Sequence, residues 1–134
     1  MALITPNAGE GRALKHALNH TAPEELKLKL YVNNITPAET DTAGTYTEMT
    51  TQGYAEKSLA GASWTITEGA PSSADYAQQT WTFDGTGGTT SVYGYFVVGA
   101  TSGIIRWAER FSDGPYVVTN NGDLVKVTPK YTAD

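Results

Sequence analysis

Few residues in this chain are of a type and spacing that could do chemistry. His16 and His20 stand four apart and are the only histidines; on a helix that spacing would put both rings on one face. No third ligand stands beside them, and zinc centres use three or four protein ligands, so no metal site is expected. Glu109 is the carboxylate of interest. Strand alternation turns it to the same side as Trp107 and Phe111, and a carboxylate facing a core needs a partner. Arg106, Arg110, Lys57 or backbone groups are the expected partners. Glycosidase chemistry uses two carboxylates, and no second one is well placed, so no catalytic residue is assigned. Gly85-Thr86-Gly87-Gly88 lacks the lysine and helix of a phosphate loop and reads as a plain loop. No nucleophile elbow or HExxH pattern occurs, and no cofactor is implied. Asn19-His20-Thr21 and Asn34-Ile35-Thr36 match the glycosylation pattern but read as chance, because the N-terminus shows no signal-peptide pattern. These observations point to a non-enzyme.

Composition narrows the class further. The 134 residues are 40% hydrophobic and 17% charged, with 14 glycines and no cysteine. That balance suits one globular, β-rich domain stabilised by packing or oligomerisation rather than by disulfides. No apolar run approaches the length of a membrane span. Residues 1–33 carry four basic and three acidic side chains; the remainder carries five and eleven. An acidic body argues against a nucleic-acid partner, which would call for a basic groove.

The elements are mostly strands. Two apolar runs, Val92–Val98 and Ile104–Phe111, flank a Gly-Ala-Thr-Ser-Gly break and read as a hairpin. The first run is apolar on both parities, which predicts a central strand covered on both faces. Leu26–Asn33 alternates, with Leu26, Leu28, Leu30 and Val32 facing inward and Lys27, Lys29 and Tyr31 outward. Tyr54–Leu59 with Trp64–Glu68 reads as a second hairpin, Trp64 and Ile66 inward. Asp75–Asp84 is one strand with Trp81 and Phe83 inward. Asn121-Gly122 predicts a type I′ turn joining Tyr116–Asn120 to Asp123–Lys130, and Pro129 marks an edge or strand end. Asn34–Gln52 is a long polar connection, with Tyr46–Met49 as a short edge strand; loops this long are usually functional or mobile. Residues 1–22 read as an arm with a short helix over Arg12–Leu18, either capping the body or ordering on a neighbouring subunit. Residues 23–134 then form an all-β sandwich of jelly-roll type, with an immunoglobulin-like sandwich as the alternative. Its expected core is Leu28, Leu30, Trp64, Trp81, Phe83, Phe96, Trp107 and Phe111.

Several stretches together resemble a group of small structural proteins of tailed bacteriophages. They are Thr21-Ala22-Pro23, Leu26–Asn34, Ser63-Trp64, Tyr76-Ala77-Gln78-Gln79, Tyr93-Gly94-Tyr95-Phe96, Trp107-Ala108-Glu109-Arg110-Phe111, Asn121-Gly122-Asp123 and Lys126-Val127-Thr128-Pro129. The similarity spans most of the chain and rests on fold-maintaining patterns. It implies a virion component resembling capsid decoration (cement) proteins, which sit as trimers on the shell and brace the major capsid protein. On that reading the lattice contacts come from the arm and the 34–52 loop. Arg12, Lys15, His16 and Lys27 are the polar candidates, Leu14 and Leu18 the apolar ones. The alternative is a module on a tail or head fibre that binds host-surface glycans through Tyr31, Tyr46, Tyr54 and Tyr76.

Overall fold

The computed structural model describes residues 3–133. Met1 and Ala2 of the predicted arm and Asp134 of the predicted domain lie outside the described residues. Among the described residues one α-helix, α1 (Asn7–Ala17), precedes eleven strands. These are β1 (Leu26–Tyr31), β2 (Lys57–Leu59), β3 (Thr65–Thr67), β4 (Ser72–Asp75), β5 (Gln79–Thr82) and β6 (Thr90–Val92). They continue with β7 (Gly94–Gly99), β8 (Ile105–Arg110), β9 (Tyr116–Val118), β10 (Leu124–Val127) and β11 (Lys130–Ala133). The strands pair antiparallel in sheets ordered β2-β1-β7-β8, β11-β4-β3, β10-β5 and β6-β9. The all-β sandwich with a short N-terminal helix is therefore what forms. The strands group as four, three, two and two, from which a jelly-roll order does not follow.

The β7–β8 hairpin is the centre expected from its sequence. Its register runs from Gly94↔Arg110 to Val98↔Ile105, with an irregularity between Val97 and Val98. Every residue of β7 is buried, because the four-stranded sheet is covered on both sides. On one side Leu28, Leu30, Tyr95, Val97 and Trp107 pack against Trp81, Phe83, Val125 and Val127 from the β5–β10 pair and Val92 and Val118 from the β6–β9 pair. On the other side Tyr31, Phe96, Val98, Ile105 and Ala108 pack with Tyr46 from the long connection. Tyr46 stacks on Phe96 at 5.1 Å and 17°, and its hydroxyl donates to Asp41 at 2.7 Å. Gly94 is required here, since a Cβ would lie 2.6 Å from the Tyr31 ring.

This second layer revises the reading of two segments. Tyr31, expected to face outward, is wholly buried, because the 34–52 connection folds back as a lid over that face. The lid contributes Tyr46 to one core and Met49 to the other, and it buries Gln52. The edge strand expected at Tyr46–Met49 is reduced to a single bridge, Tyr31↔Glu48.

Two expected hairpins do not form. β2 pairs with β1 and β3 with β4; β9 pairs with β6 and β10 with β5. Turn residues license a chain reversal but do not select the partner. At Asn121-Gly122 only the glycine has positive φ, at 95°, so the turn is not type I′. The Asp123 carboxylate instead accepts from the Thr119 and Asn120 amides, both at 2.8 Å, and Gly122 donates to the Phe83 carbonyl. The strand expected over Asp75–Asp84 splits at residues 76–78, since β4 and β5 belong to different sheets. Ile66, expected inward, is exposed, because the β3 edge carries no covering layer.

Of the expected core, Leu28, Leu30, Trp81, Phe83, Phe96 and Trp107 are buried, while Trp64 and Phe111 are half-buried against it. Trp64 meets Tyr76 and Trp107 edge-on, at 5.1 and 6.0 Å. Phe111 lies 4.5 Å from the Tyr116 ring.

The helix starts five residues earlier than its sequence suggests. Gly9 and Gly11 are poor helix formers and disguise the first turn. Gly9 is nonetheless needed, because a Cβ there would lie 3.0 Å from the Ile105 carbonyl oxygen and closer still to that of Arg106. α1 therefore lies directly on β8. Ahead of it, Ile4 exchanges two 2.9 Å backbone hydrogen bonds with Ala108, which pairs part of the β8 edge that would otherwise be open. The helix ends in a Schellman cap. Asn19 takes a left-handed φ of 54°, with His20 N–H donating to Lys15 O at 2.8 Å and Asn19 N–H to His16 O at 3.1 Å. The Asn19-His20-Thr21 triplet thus has a conformational role.

Candidate functional site

Three features stand out once the elements are in place: a charged clasp beneath α1, an apolar stripe on the outside of that helix, and a cleft at the far end of β8.

The clasp is centred on Glu24. Its carboxylate accepts from Arg106 Nη2 at 2.9 Å, from the Ser102 hydroxyl at 2.5 Å and from the Ser102 amide at 3.2 Å, with Arg12 Nη2 at 3.8 Å. Gly99 makes this approach possible, since a Cβ there would collide with Glu24 Oε1. His16 donates from Nδ1 to the Thr21 carbonyl at 3.0 Å, which leaves Nε2 to face Arg106 Nη2 at 3.4 Å as an acceptor. Burial works against the charge on Glu24. The Ser102 hydroxyl and amide, with Arg106 and Arg12, outweigh it and hold the carboxyl below its ordinary value. Arg106, only 7% exposed, is lowered by burial while Glu24 opposes that shift. Two guanidiniums share one carboxylate, and Arg106 Nη1 and Arg12 Nε are buried without a partner among the described residues.

The outer face of α1 is different. Leu14 and Leu18 are 63% and 77% exposed, and Ala17 between them is exposed too. Three and four residues apart, these side chains form one apolar stripe facing away from the sheet, flanked by exposed Lys15. The clasp fixes the orientation of that stripe.

The cleft, of about 290 Å³, is lined by Leu3, Tyr95, Glu109, Thr128, Lys130 and Thr132. Tyr95 and Glu109 are directly opposed in the β7–β8 register. Burial pushes the Tyr95 hydroxyl well above its ordinary 10, and the neighbouring Glu109 carboxylate pushes the same way. Glu109 is half-buried on the core side of β8, as alternation predicts, but none of its expected partners pairs with it. Arg106 is engaged by Glu24. Arg110 donates to the Ile35 carbonyl at 2.9 Å and lies over the Tyr93 ring. Lys57 lies over the Trp81 ring at 5.7 Å. Among the described residues Glu109 has no ion-pair partner.

The predicted contact residues therefore divide. Leu14, Lys15 and Leu18 are exposed on the helix, whereas Arg12 and His16 are spent inside the clasp. Lys27 is held by Ser58 at 3.1 Å and Glu56 at 3.5 Å. His20 lies beyond the end of α1, so the two histidines do not share a helical face. Among the described residues no group of three or more His, Asp or Glu is placed to hold a metal ion. The tyrosines proposed to meet glycans are occupied. Tyr31 and Tyr46 are buried. Tyr54 accepts from Leu30 N–H and donates to Glu48, and Tyr76 accepts from Ala60 N–H. The sequence reading missed Glu24, Ser102 and Gly99 altogether. One signal was present, an arginine at 106 inside an apolar strand, which implies a buried carboxylate elsewhere.

No protein-family model matches the chain, and no match to it was found among curated proteins or solved structures.

Proposed function

We propose that this chain is a non-enzymatic structural protein of a bacteriophage virion, a decoration subunit that sits on the capsid as a homotrimer and braces the major capsid protein. The observation that carries the reading is the Leu14–Leu18 stripe, apolar, exposed and held in a fixed orientation by the clasp. A stripe of this kind gains by burial against another surface, at roughly 25 cal/mol per Å² removed from water. Three linked copies would raise the effective concentration of each weak contact on a repeating shell. The acidic body disfavours nonspecific contact with packaged DNA. These features and the resemblance to small phage structural proteins support one another.

The test is decoration of capsids by purified protein, read by cryo-electron microscopy or co-sedimentation. Wild-type protein is expected to occupy symmetric clusters on the shell. L14S/L18S is expected to lose most of that occupancy while unfolding at the wild-type denaturant midpoint. Full occupancy by the double variant, or density confined to the tail, would sink the proposal. Deleting residues 1–20 is a poorer test, because it would uncover Arg106 and the surface of β8.

A further inference from the structure

We infer that the cleft between β7–β8 and β11 is a binding site for a basic side chain, the ammonium of a lysine or the guanidinium of an arginine from another protein. The case begins with charge. Glu109 is half-buried at the cleft, where the Tyr95 hydroxyl is hydrogen-bonded to it, but it carries no ion-pair partner among the described residues, and one neutral hydroxyl does not balance a carboxylate's charge. Lys130, which also lines the cleft, does not fill that role. Its ammonium is matched by the Asp75 carboxylate at 3.7 Å, its cross-strand neighbour in the β4–β11 pairing. Asp75 lies outside the lining and Lys130 is not within ion-pair distance of Glu109, so Glu109 is the one carboxylate of the cleft and has no direct counter-charge among the described residues.

The rest of the lining fits a long cationic side chain. Leu3 and the methylenes of Lys130 offer apolar surface to an aliphatic stem. The hydroxyl-bearing residues Thr128 and Thr132 supply acceptors for N–H groups that do not reach the carboxylate. Tyr95 is nine-tenths buried and its hydroxyl resists ionisation, so it stays neutral and adds no second negative charge. An anion would meet Glu109 directly, and an uncharged apolar group would cover it without supplying a counter-charge. Docking a cation supplies one, and the overall charge of −5 favours the approach of a basic surface. The cleft and the Leu14–Leu18 stripe lie on different elements, so this site stands whether or not the chain decorates a capsid.

The experiment is an amide NMR titration of the full chain with Nα-acetyl-lysine methylamide and Nα-acetyl-arginine methylamide. Nα-acetyl-norleucine methylamide serves as the uncharged control. Saturable shifts centred on Tyr95, Glu109, Thr128 and Thr132 are expected for the two cations and not for norleucine. E109Q should weaken binding by about tenfold or more, as for loss of a charge-assisted hydrogen bond, and E109D should retain part of it. Equal shifts from norleucine, shifts centred elsewhere, no saturation with either cation, or full binding by E109Q would each overturn the assignment.

Discussion

Two half-buried carboxylates flank opposite ends of β8, and they have opposite surroundings. Glu24 is held by two guanidiniums, a hydroxyl and an amide. Glu109 lines a cleft and, among the described residues, has no cation within ion-pair distance, Lys130 of the same cleft being turned to Asp75. The first is a fastener: it binds α1 to the sheet by satisfying Arg106, which would otherwise be a buried and unpaired charge. The second meets the Tyr95 hydroxyl but has no charged partner among the described residues. A charge whose partners are all internal is best read as structure, and a charge left open at a concave surface as a place for something else to bind.

The sharpest way to break this contrast is at the clasp. Replacing Glu24 by Ala leaves two guanidiniums around an empty site, a loss expected to cost about 3 kcal/mol of stability. Gly99→Ala should do nearly as much without touching a charge, because the new Cβ must push the carboxylate away from Ser102 and Arg106. Urea unfolding would measure both, and hydrogen exchange should show α1 opening first. A Gly99→Ala protein as stable as wild type would mean that the carboxylate has another equally good position.

Acid tests the same fastener more gently. The Glu24 pKa is lowered in the folded state, so its contribution is fully present above the ordinary carboxylate value of 4.5. It is lost as pH falls through the lower folded value, where the unfolded chain already binds the proton. Stability should therefore decline below about pH 4.5. Glu24→Gln should start less stable at neutral pH and show a shallower decline. An unchanged slope would place the acid-sensitive group elsewhere, with Asp84 and Asp123 next in line because both are also lowered.

How much of this was legible before the fold was known follows from the range of each interaction. The β7–β8 hairpin and the alternation of β1 are local patterns, and both were readable. Partner choice was not, because Asn121-Gly122 and Ala60-Gly61-Ala62 specify reversals whose flanking strands find partners far away in sequence. The second layer was hidden for a related reason. Tyr31 has polar-face parity, and only the return of Tyr46 fifteen residues later makes that face a core. The clasp joins residues 12, 16, 24, 99, 102 and 106, a set with no common spacing. Leu14 and Leu18 were visible as apolar, but whether they faced inward or outward depended on Gly9, which sets the helix against Arg106. Glu109 was placed correctly by parity; that its expected partners were all engaged elsewhere emerges only from the packing.

The smallest expected effect is at that second carboxylate. Glu109→Gln keeps the shape and removes the charge, and among the described residues no cation loses an ion-pair partner by the change. Its effect on urea unfolding should stay within about 0.5 kcal/mol. Because Tyr95 faces the same carboxylate, a change confined to the Tyr95 environment is the expected trace, read as a small shift in its ring resonances. A loss comparable to that of Glu24→Ala would show that Glu109 is a second fastener, and the distinction between the two ends of β8 would collapse. A neutral result leaves the carboxylate without a structural task, and its value to the protein then has to lie in what enters the cleft.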